Sequence, residues 1–300
     1  MTDQLKFVYI CGLGHNGSTS LDLLLDLSPR FTGTSQLNDL LVPYDPRTLE
    51  LAKQQDRDRF WIEVLNRMSD DQKRDLEFQN SSIGREKALL PLFFFSKRRK
   101  SYALANEVLI DLLSEKVGPD QVIVDSSKNV ARCIGLSASK YDVRVIHLIR
   151  DVRGFVGSHN KRRIESGLKP DYLKPTLLWF AKNIAASVMA RFRSKKIVRV
   201  SYEDYMFAPD QFLKTLSDFL DEPLDDCRPG LMGDEALKPD MSLGFSGNRV
   251  LHNRKQFCLD RNRVRADGIY KSSVYWILLG WPAMIWGYRF RRQHPKKSEA

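Results

Sequence analysis

Short apolar runs and longer stretches of helical periodicity alternate along much of this chain. Four apolar runs have the length and the flanking residues of buried strands: Lys6–Cys11, Val122–Val124, Val143–Ile149 and Lys196–Val200. Five helices are predicted among and after them: Ser20–Leu27, Val130–Lys140, one from about Val152, Leu177–Arg193 and Pro209–Leu220. Strands that alternate with helices predict an α/β fold, in which helices cover both faces of a parallel central sheet.

Residues from about 38 to 120 interrupt this alternation. They show helical periodicity with charged stretches such as Gln54–Arg59 and Asp70–Glu77, and they contain no convincing strand. No linker rich in Pro, Gly or Ser divides the chain, and we find no internal repeat. Residues 1–300 are therefore predicted to form a single domain with a helical insertion.

The strongest apolar run lies in a C-terminal segment of about residues 270–300. Val274–Tyr288 is shorter than the roughly 20 residues of a membrane-spanning helix, and Pro282 interrupts it. A pair of core helices is the first interpretation. The basic residues of Arg289–Arg292 and Pro295–Lys297 support a second one, in which the segment makes peripheral contact with a membrane surface.

Composition adds a basic charge balance, with a formal net charge of +11. This balance suits anionic partners, and it is equally consistent with a solvated basic surface. The four cysteines form no CxxC pair and the five histidines no HxxxH cluster, so we expect neither a disulfide framework nor a metal site. Reduced thiols, and an N-terminus without a charged-then-apolar leader, predict a cytoplasmic protein.

A glycine-rich loop follows the first predicted strand. Gly12–Thr19 fits the phosphate-loop template G-x4-G-K-[ST] except that Ser18 stands in the lysine position. Glycines let backbone N–H groups surround an anion, and the following helix adds the positive end of its dipole. The missing lysine normally contacts the β and γ phosphates of a nucleoside triphosphate. The loop is expected to hold a phosphate-like anion without ordinary NTPase activity; a plain strand-to-helix turn is the alternative.

The loop and the leucine-rich Leu21–Leu25 resemble the 5′-phosphosulfate-binding loop of sulfotransferases, particularly bacterial and carbohydrate-type members. The family often has Lys or Arg, then Ser-Gly-Thr-Thr or Ser-Gly-Ser-Thr; here His15 takes the basic position and Asn16 the usual serine position. An imidazole can donate to a phosphate oxygen, with a strength that depends on pH. The resemblance implies a P-loop NTPase-like fold and the donor 3′-phosphoadenosine 5′-phosphosulfate (PAPS). It implies that these residues bind PAPS: Gly14, His15, Asn16, Gly17, Ser18 and Thr19.

A second motif follows the strand Val143–Ile149. Arg150 at the strand end and Ser158 eight residues later reproduce the spacing of the family's 3′-phosphate site. Arginine offers a planar fork to a phosphate, and a serine about two helical turns on adds a hydroxyl from the same face. Alone, each residue has an ordinary structural explanation. Together the two motifs, in family order, cover both ends of one nucleotide, and the basic run Lys161–Arg163 follows directly.

Three further stretches resemble the family. Lys128 follows a predicted strand and is implied to face the phosphosulfate, with a surface lysine in a helix-capping turn as an equal alternative. Tyr202 lies in a tyrosine–acidic turn implied to pack near the adenine, or is a core aromatic residue. Gly247, Asn248 and Arg249 resemble the segment that closes over the 3′-phosphate in bacterial members.

The implied reaction is in-line transfer of a sulfuryl group from PAPS to a hydroxyl or amine of a small-molecule or carbohydrate acceptor. His15 and Lys128 are the catalytic candidates, because they and the loop amides would stabilise charge on the leaving phosphate without a metal. Gln36 stands where many relatives have glutamate and cannot act as a base. Asp39 and Asp125 are the candidate bases.

The sequence leaves three other functions open. A P-loop kinase or NTPase is disfavoured by Ser18 in the lysine position. A nucleic-acid-binding module has no zinc knuckle, RNP-type strand or helix-turn-helix to support it, so no nucleic-acid partner is expected. A non-catalytic nucleotide-binding protein is compatible with His15 and Gln36. No motif identifies the acceptor or the oligomeric state.

Overall fold

A computed structural model describes residues 6–41, 55–83, 89–192, 196–238, 243–244, 256–259 and 272–289 of the chain. Five strands are found there: β1 Lys6–Gly12, β2 Phe31–Gly33, β3 Val122–Lys128, β4 Asp142–Ile149 and β5 Ile197–Ser201. They form one parallel sheet in the order β2-β3-β1-β4-β5. The predicted parallel α/β sheet is confirmed. The sequence prediction missed β2, whose three residues are too few to show a periodicity.

The central strand β1 shows why the sheet strands are continuously apolar. Phe7, Tyr9 and Cys11 pack into one hydrophobic cluster, and Val8 and Ile10 pack into a second cluster. Successive side chains of a strand point to opposite faces of the sheet. A strand that helices cover on both faces therefore needs apolar residues at every position rather than at alternate ones.

The helices flank this sheet. Their bounds are α1 Ser18–Leu25, α2 Gln55–Asn66, α3 Asp70–Ile83, α4 Leu89–Phe94, α5 Ser96–Val117, α6 Val130–Leu136, α7 Val152–Glu165, α8 Leu173–Phe192, α9 Tyr202–Phe207, α10 Pro209–Leu220 and α11 Arg228–Met232. Helices α2 to α5 occupy the stretch for which the sequence predicts a helical insertion. Side chains cap the helices that leave the sheet: Asn129 caps α6, Asp151 caps α7, and Ser201 forms a capping box with Asp204 in α9.

A buried ion pair joins the insertion to the sheet. Arg132 of α6 and Asp125 of β3 are both fully buried, with Nε and Oδ2 2.7 Å apart. Arg132 Nη1 also donates to Tyr102 Oη at 2.7 Å and Asn106 Oδ1 at 2.6 Å in α5, and to Asn80 Oδ1 at 3.2 Å in α3. A buried charge is costly unless it is paired and hydrogen-bonded. The carboxyl end of β3 is therefore held by side chains of the insertion.

The helical part of the C-terminal segment, Ser273–Trp286, has one buried and one exposed face. It consists of a single α-helical turn, a π-helical stretch and a 3₁₀ helix. Tyr275, Trp276 and Trp286 are buried in a third hydrophobic cluster together with Trp179 of α8. Within the described ranges, no helix combines the length and the apolar character needed to cross a bilayer.

Candidate active site

The carboxyl ends of β1 and β3 and the helix after β4 border a cavity of about 760 Å³. Ligands of parallel sheets bind at this edge, outside the carboxyl ends of the strands. Seven residues that the sequence assigns to donor binding or catalysis line the cavity: Gly14, His15, Gly17, Ser18, Thr19, Lys128 and Ser158. The fold thus brings three distant parts of the chain to one place.

The glycine loop between β1 and α1 is braced from behind by Asn16. The Asn16 Nδ2 donates to the carbonyl oxygen of Leu148 in β4 at 2.8 Å, and its Oδ1 accepts from the backbone N–H of Ser18 at 3.1 Å. A Cβ at Gly12 would lie 2.1 Å from that Nδ2. Asn16 is buried behind the loop instead of in the cavity lining. The asparagine in the usual serine position therefore shapes the loop.

Gly17 is glycine for two reasons. Its φ of +94° is left-handed, and a Cβ there would lie 2.4 Å from Cδ2 of Tyr202. We expect Gly17→Ala to lower the free energy of unfolding by about 2–4 kcal/mol, measured by urea denaturation. The matched control is Gly14→Ala, because no heavy atom lies within 4 Å of a Cβ at Gly14. Its stability should stay within about 0.5 kcal/mol of wild type; equal losses in both variants would contradict this account of the loop.

A bulge in β3 directs Lys128 to the cavity. Tyr9 of β1 pairs with Asp125, and Cys11 pairs with Lys128, so β3 has one residue more than β1 over this stretch. Lys128 has a left-handed backbone with φ of +68°. Its Nζ donates to Gln36 Oε1 at 3.1 Å. Lys128 is the last residue of β3 and not, as the sequence predicts, a residue after the strand.

Backbone strain is concentrated around the cavity. Among the described non-glycine residues, four have positive φ, and three of them are His15 at 64°, Ser35 at 63° and Lys128 at 68°. His15 and Lys128 line the cavity, and Ser35 precedes the lining residue Gln36. A left-handed conformation costs roughly 1–2 kcal/mol per residue. Strained residues of this kind cluster at functional sites. The positive φ angles therefore indicate the same cavity as the sequence motifs.

Arg150 and Tyr202 lie beneath the glycine loop, outside the cavity lining. Arg150 Nη1 donates to the carbonyl oxygen of His15 at 2.8 Å, and its guanidinium carbon is 4.6 Å from the centre of the Tyr202 ring. The Nε of Arg150 is buried and has no hydrogen-bond partner in the described chain. Buried donors without a partner are rare and costly. This Nε, close to the loop, therefore indicates a place for an anionic acceptor atom.

The cavity is positively charged although His15 is neutral. Burial, and the cations Arg162 and Arg150 together with His159, lower the pKa of His15 to about 4. The pH-dependent donor that the sequence suggests is therefore an uncharged imidazole throughout the neutral range. Positive charge comes from other described lining residues: Lys128, Lys161, Arg162 and Lys182, against the single carboxylate of Glu165.

A buried carboxyl group lies near Lys128. Asp22 of α1 accepts a hydrogen bond from Ser126 Oγ, and burial raises its pKa to about 8, so that it is largely protonated at pH 7. Burial lowers the pKa of Lys128, and Asp22, Asp39 and Asp125 act in the opposite direction. An anion in the cavity would restore the stabilisation that the Lys128 ammonium loses through burial.

One face of α7 supplies lining residues in addition to Ser158, the residue of this helix that a motif marks. Phe155, Ser158, His159, Arg162 and Glu165 recur at spacings of three and four residues, which places them on one side of the helix. Helical spacing counted from Ser158 was the signal in the sequence that could have identified the other lining residues of α7. Of the basic run noted in the sequence, Lys161 and Arg162 line the cavity.

The candidate base Asp125 is already engaged elsewhere. Its Oδ2 pairs with Arg132, and its Oδ1 accepts from the backbone N–H of Ser127 at 2.8 Å. Asp39 accepts from Asn38 Nδ2 at 2.7 Å and lies outside the cavity lining. The imidazole of His159 and the carboxylate of Glu165, by contrast, both border the cavity.

Gly247, Asn248 and Arg249 lie outside the described residues, so their contact with a 3′-phosphate stays a prediction. Within the described ranges, no group of three His, Cys, Asp or Glu side chains is arranged to hold a metal ion.

Comparisons with known proteins bear on the fold and the family of this chain. A search of curated proteins found no match. The sulfotransferase domain of the Synechococcus PCC 7002 olefin synthase superposes with a TM-score of 0.54 at 19% identity, over 96% of this chain and 98% of that one. Sulfotransferase STF9 from Mycobacterium avium gives a TM-score of 0.50 at 16% identity, over 98% and 79%. At these identities the two structures show the fold alone. Because the model of the sulfotransferase family matches residues 8–226, most of its length, the chain belongs to the sulfotransferase family.

Proposed function

We propose that this chain transfers a sulfuryl group from PAPS to a hydroxyl or amine of a small-molecule or carbohydrate acceptor. One observation carries the proposal: the glycine loop, Lys128 and Ser158 line a single cavity of about 760 Å³. That volume lies within the usual range for nucleotide-sized ligands. Membership of the sulfotransferase family supports sulfuryl as the group that is transferred. The positive charges around the cavity support PAPS as the donor.

The residues present fit a donor with two anionic ends. At one end, the glycine loop and the start of α1 offer backbone N–H groups and a positive dipole end. For the other end, Ser158 of α7 offers a hydroxyl on the cavity, and Arg150, which lies beneath the loop and outside the lining, has a buried Nε without a partner in the described chain. The excess of cations over carboxylates in the lining favours a ligand with several negative charges.

Transfer needs charge stabilisation and a proton acceptor. When bound, PAPS supplies an electrophilic sulfur and a phosphate leaving group. As the acceptor atom bonds to sulfur and the sulfur–oxygen bond to the phosphate breaks, negative charge moves to that oxygen. The ammonium of Lys128, the N–H of His15 and the loop amides are donors that border the cavity, and we assign them to stabilise that charge.

We propose that His159 is the general base, which accepts the proton that the acceptor hydroxyl or amine loses. Its ring centre lies 6.4 Å from that of His15, so the two imidazoles border the same part of the cavity. Burial, together with Arg163 and Arg162, lowers the pKa of His159 while Asp171 raises it, and the neutral ring is the form that accepts a proton. Glu165, one of the exposed residues near the end of α7, is the second choice.

The thiols support a reducing compartment, and we place the reaction in the cytoplasm. No disulfide bond joins the four cysteines, which all lie in the described ranges: Cys11, Cys133 and Cys227 are buried and Cys258 is exposed. Proteins of oxidising compartments seldom keep all their thiols reduced.

Ligand-induced stabilisation tests the donor. We expect adenosine 3′,5′-bisphosphate to raise the melting temperature more than AMP, ATP with Mg²⁺, or a nucleic-acid oligomer at equal concentration. At 100 times its Kd a ligand stabilises the folded state by about 2.7 kcal/mol. Labelled PAPS is then offered with sugars, phenols, lipids and peptides to find the acceptor. A larger shift with ATP and Mg²⁺ than with the bisphosphate would favour a kinase or NTPase instead.

A further inference from the structure

Helix α8 exposes an apolar stripe. Leu173, Leu177, Ala181, Ile184 and Val188 follow each other at spacings of four, four, three and four residues, which places them on one face. All five are exposed, and Leu177 is 57% exposed. A helix of a globular protein normally turns its apolar stripe to the core. Scattered exposed apolar residues need no explanation, whereas a continuous stripe of them indicates an interaction surface.

The C-terminal segment presents a second exposed apolar face. Its outward residues, with exposed fractions between 57% and 75%, are Val274, Ile277, Leu278, Trp281, Met284 and Ile285. Its inner face packs on α8, because the Trp286 ring lies 5.1 Å from that of Trp179 and Trp286 Nε1 donates to Ser187 Oγ at 3.0 Å. Ser187 directly precedes Val188 of the stripe, so the C-terminal segment lies beside the stripe, and we call the two exposed faces together the apolar surface.

Positive charge accompanies the apolar surface. The sequences of α8 and of residues 272–289 contain no aspartate or glutamate. Lys174 and Lys182 lie on α8 and Arg289 ends the second stretch, while Arg291, Arg292, Lys296 and Lys297 follow in the sequence. Apolar side chains with an exposed tryptophan, on two stretches whose own charged residues are all cations, are the composition of elements that lie in the interface of an anionic membrane.

We propose that the apolar surface docks this protein on an anionic phospholipid bilayer as a peripheral protein. The apolar side chains enter the region of the headgroups, and the surrounding lysines and arginines contact lipid phosphates. A second copy of the chain is the less suitable occupant, because a symmetric contact would bring like-charged borders together. The inference rests on the exposure and charge of α8 and the C-terminal segment, so it is independent of the proposed function.

Docking would place the cavity close to the bilayer. Leu178 and Lys182 of α8 line the cavity, and Leu177 and Ala181, their immediate neighbours in the chain, belong to the apolar stripe. One helix thus borders both the cavity and the surface. The protein would meet the membrane with the α8 side of the cavity near the headgroups.

Vesicle co-sedimentation tests the proposal. The full chain is mixed with vesicles of phosphatidylcholine alone or of phosphatidylcholine with phosphatidylglycerol. We expect binding to the anionic vesicles that is at least about tenfold stronger than to the neutral ones and weakens at high salt. The variant Ile277→Gln/Leu278→Gln/Ile285→Gln should lose at least about tenfold in vesicle affinity, because three exposed apolar groups are removed.

A matched triple variant serves as the control. Phe78→Gln/Phe94→Gln/Leu104→Gln removes three equally exposed apolar side chains from the insertion and should bind vesicles like wild type. Lys174→Glu gives a second test, since it should weaken binding to anionic vesicles without altering the apolar face. The proposal is overturned if wild type ignores anionic vesicles, if both triple variants behave alike, or if light scattering shows a dimer that only the C-terminal variant dissociates.

Discussion

Replacing Arg150 by alanine is expected to weaken the binding of adenosine 3′,5′-bisphosphate about 100-fold, while the affinity for AMP changes less than about fivefold. A hydrogen bond to a charged group contributes roughly 1.5–3 kcal/mol, and 1.4 kcal/mol corresponds to a factor of ten. Alanine removes the buried Nε that has no partner in the described chain, together with the rest of the fork. Isothermal titration calorimetry of the two nucleotides gives both affinities.

The comparison with AMP separates recognition from structural damage. Arg150 Nη1 also donates to the carbonyl of His15, so a disturbed loop would weaken both nucleotides to a similar extent. Arg150→Lys keeps the charge but not the fork and should lie between wild type and alanine. Arg199→Ala removes an exposed arginine of β5 and should leave both affinities unchanged. Equal losses for the bisphosphate and AMP in Arg150→Ala would count against a 3′-phosphate site.

Removing the ammonium of Lys128 should lower turnover roughly 100- to 1,000-fold, the range found when a fixed donor at a developing negative charge is deleted. Glycine is the appropriate replacement, because φ at this position is +68°. Lys128→Gly relieves that strain, so its stability should stay within about 1 kcal/mol of wild type. Labelled-sulfate transfer to the acceptor found in the panel measures turnover, and calorimetry with the bisphosphate measures affinity.

The pH dependence provides a control for the same residue. Only the protonated amine stabilises negative charge, and burial lowers the pKa of Lys128. The value of kcat/KM should therefore fall as pH rises through that pKa. In Lys128→Arg the side chain stays charged, so this fall should disappear. Turnover of Lys128→Gly within about threefold of wild type would mean that Lys128 only shapes the end of β3.

The sheet was predictable because its strands are apolar at successive positions. The runs that begin at Lys6, Val143 and Lys196 correspond to β1, β4 and β5 within two residues at either end. The predicted strand Val122–Val124 was too short, since β3 continues through the polar residues Asp125, Ser126 and Ser127. Buried hydrogen bonds keep these polar residues in the sheet, and a hydrophobicity pattern does not contain that information.

The parts of the site that depend on the spacing of residues close together in the sequence were predictable. The glycine loop and Ser158 line one cavity as their motifs suggest. The bulge that directs Lys128 depends on the register between two strands that lie far apart in the chain. The role of Asn16 depends on a contact with Leu148 of another strand. His159 required knowing which face of α7 points inwards, so long-range packing decided what local patterns left open.

The guanidinium of Arg132 limits how freely this protein can be recombined. Three of its partners, Asn80, Tyr102 and Asn106, belong to the insertion, and the fourth, Asp125, lies three residues before Lys128. A chimaera that received another protein's insertion would leave a buried cation short of acceptors, at a cost of several kcal/mol. A graft of this region will fold stably only if it carries an equivalent set of oxygens.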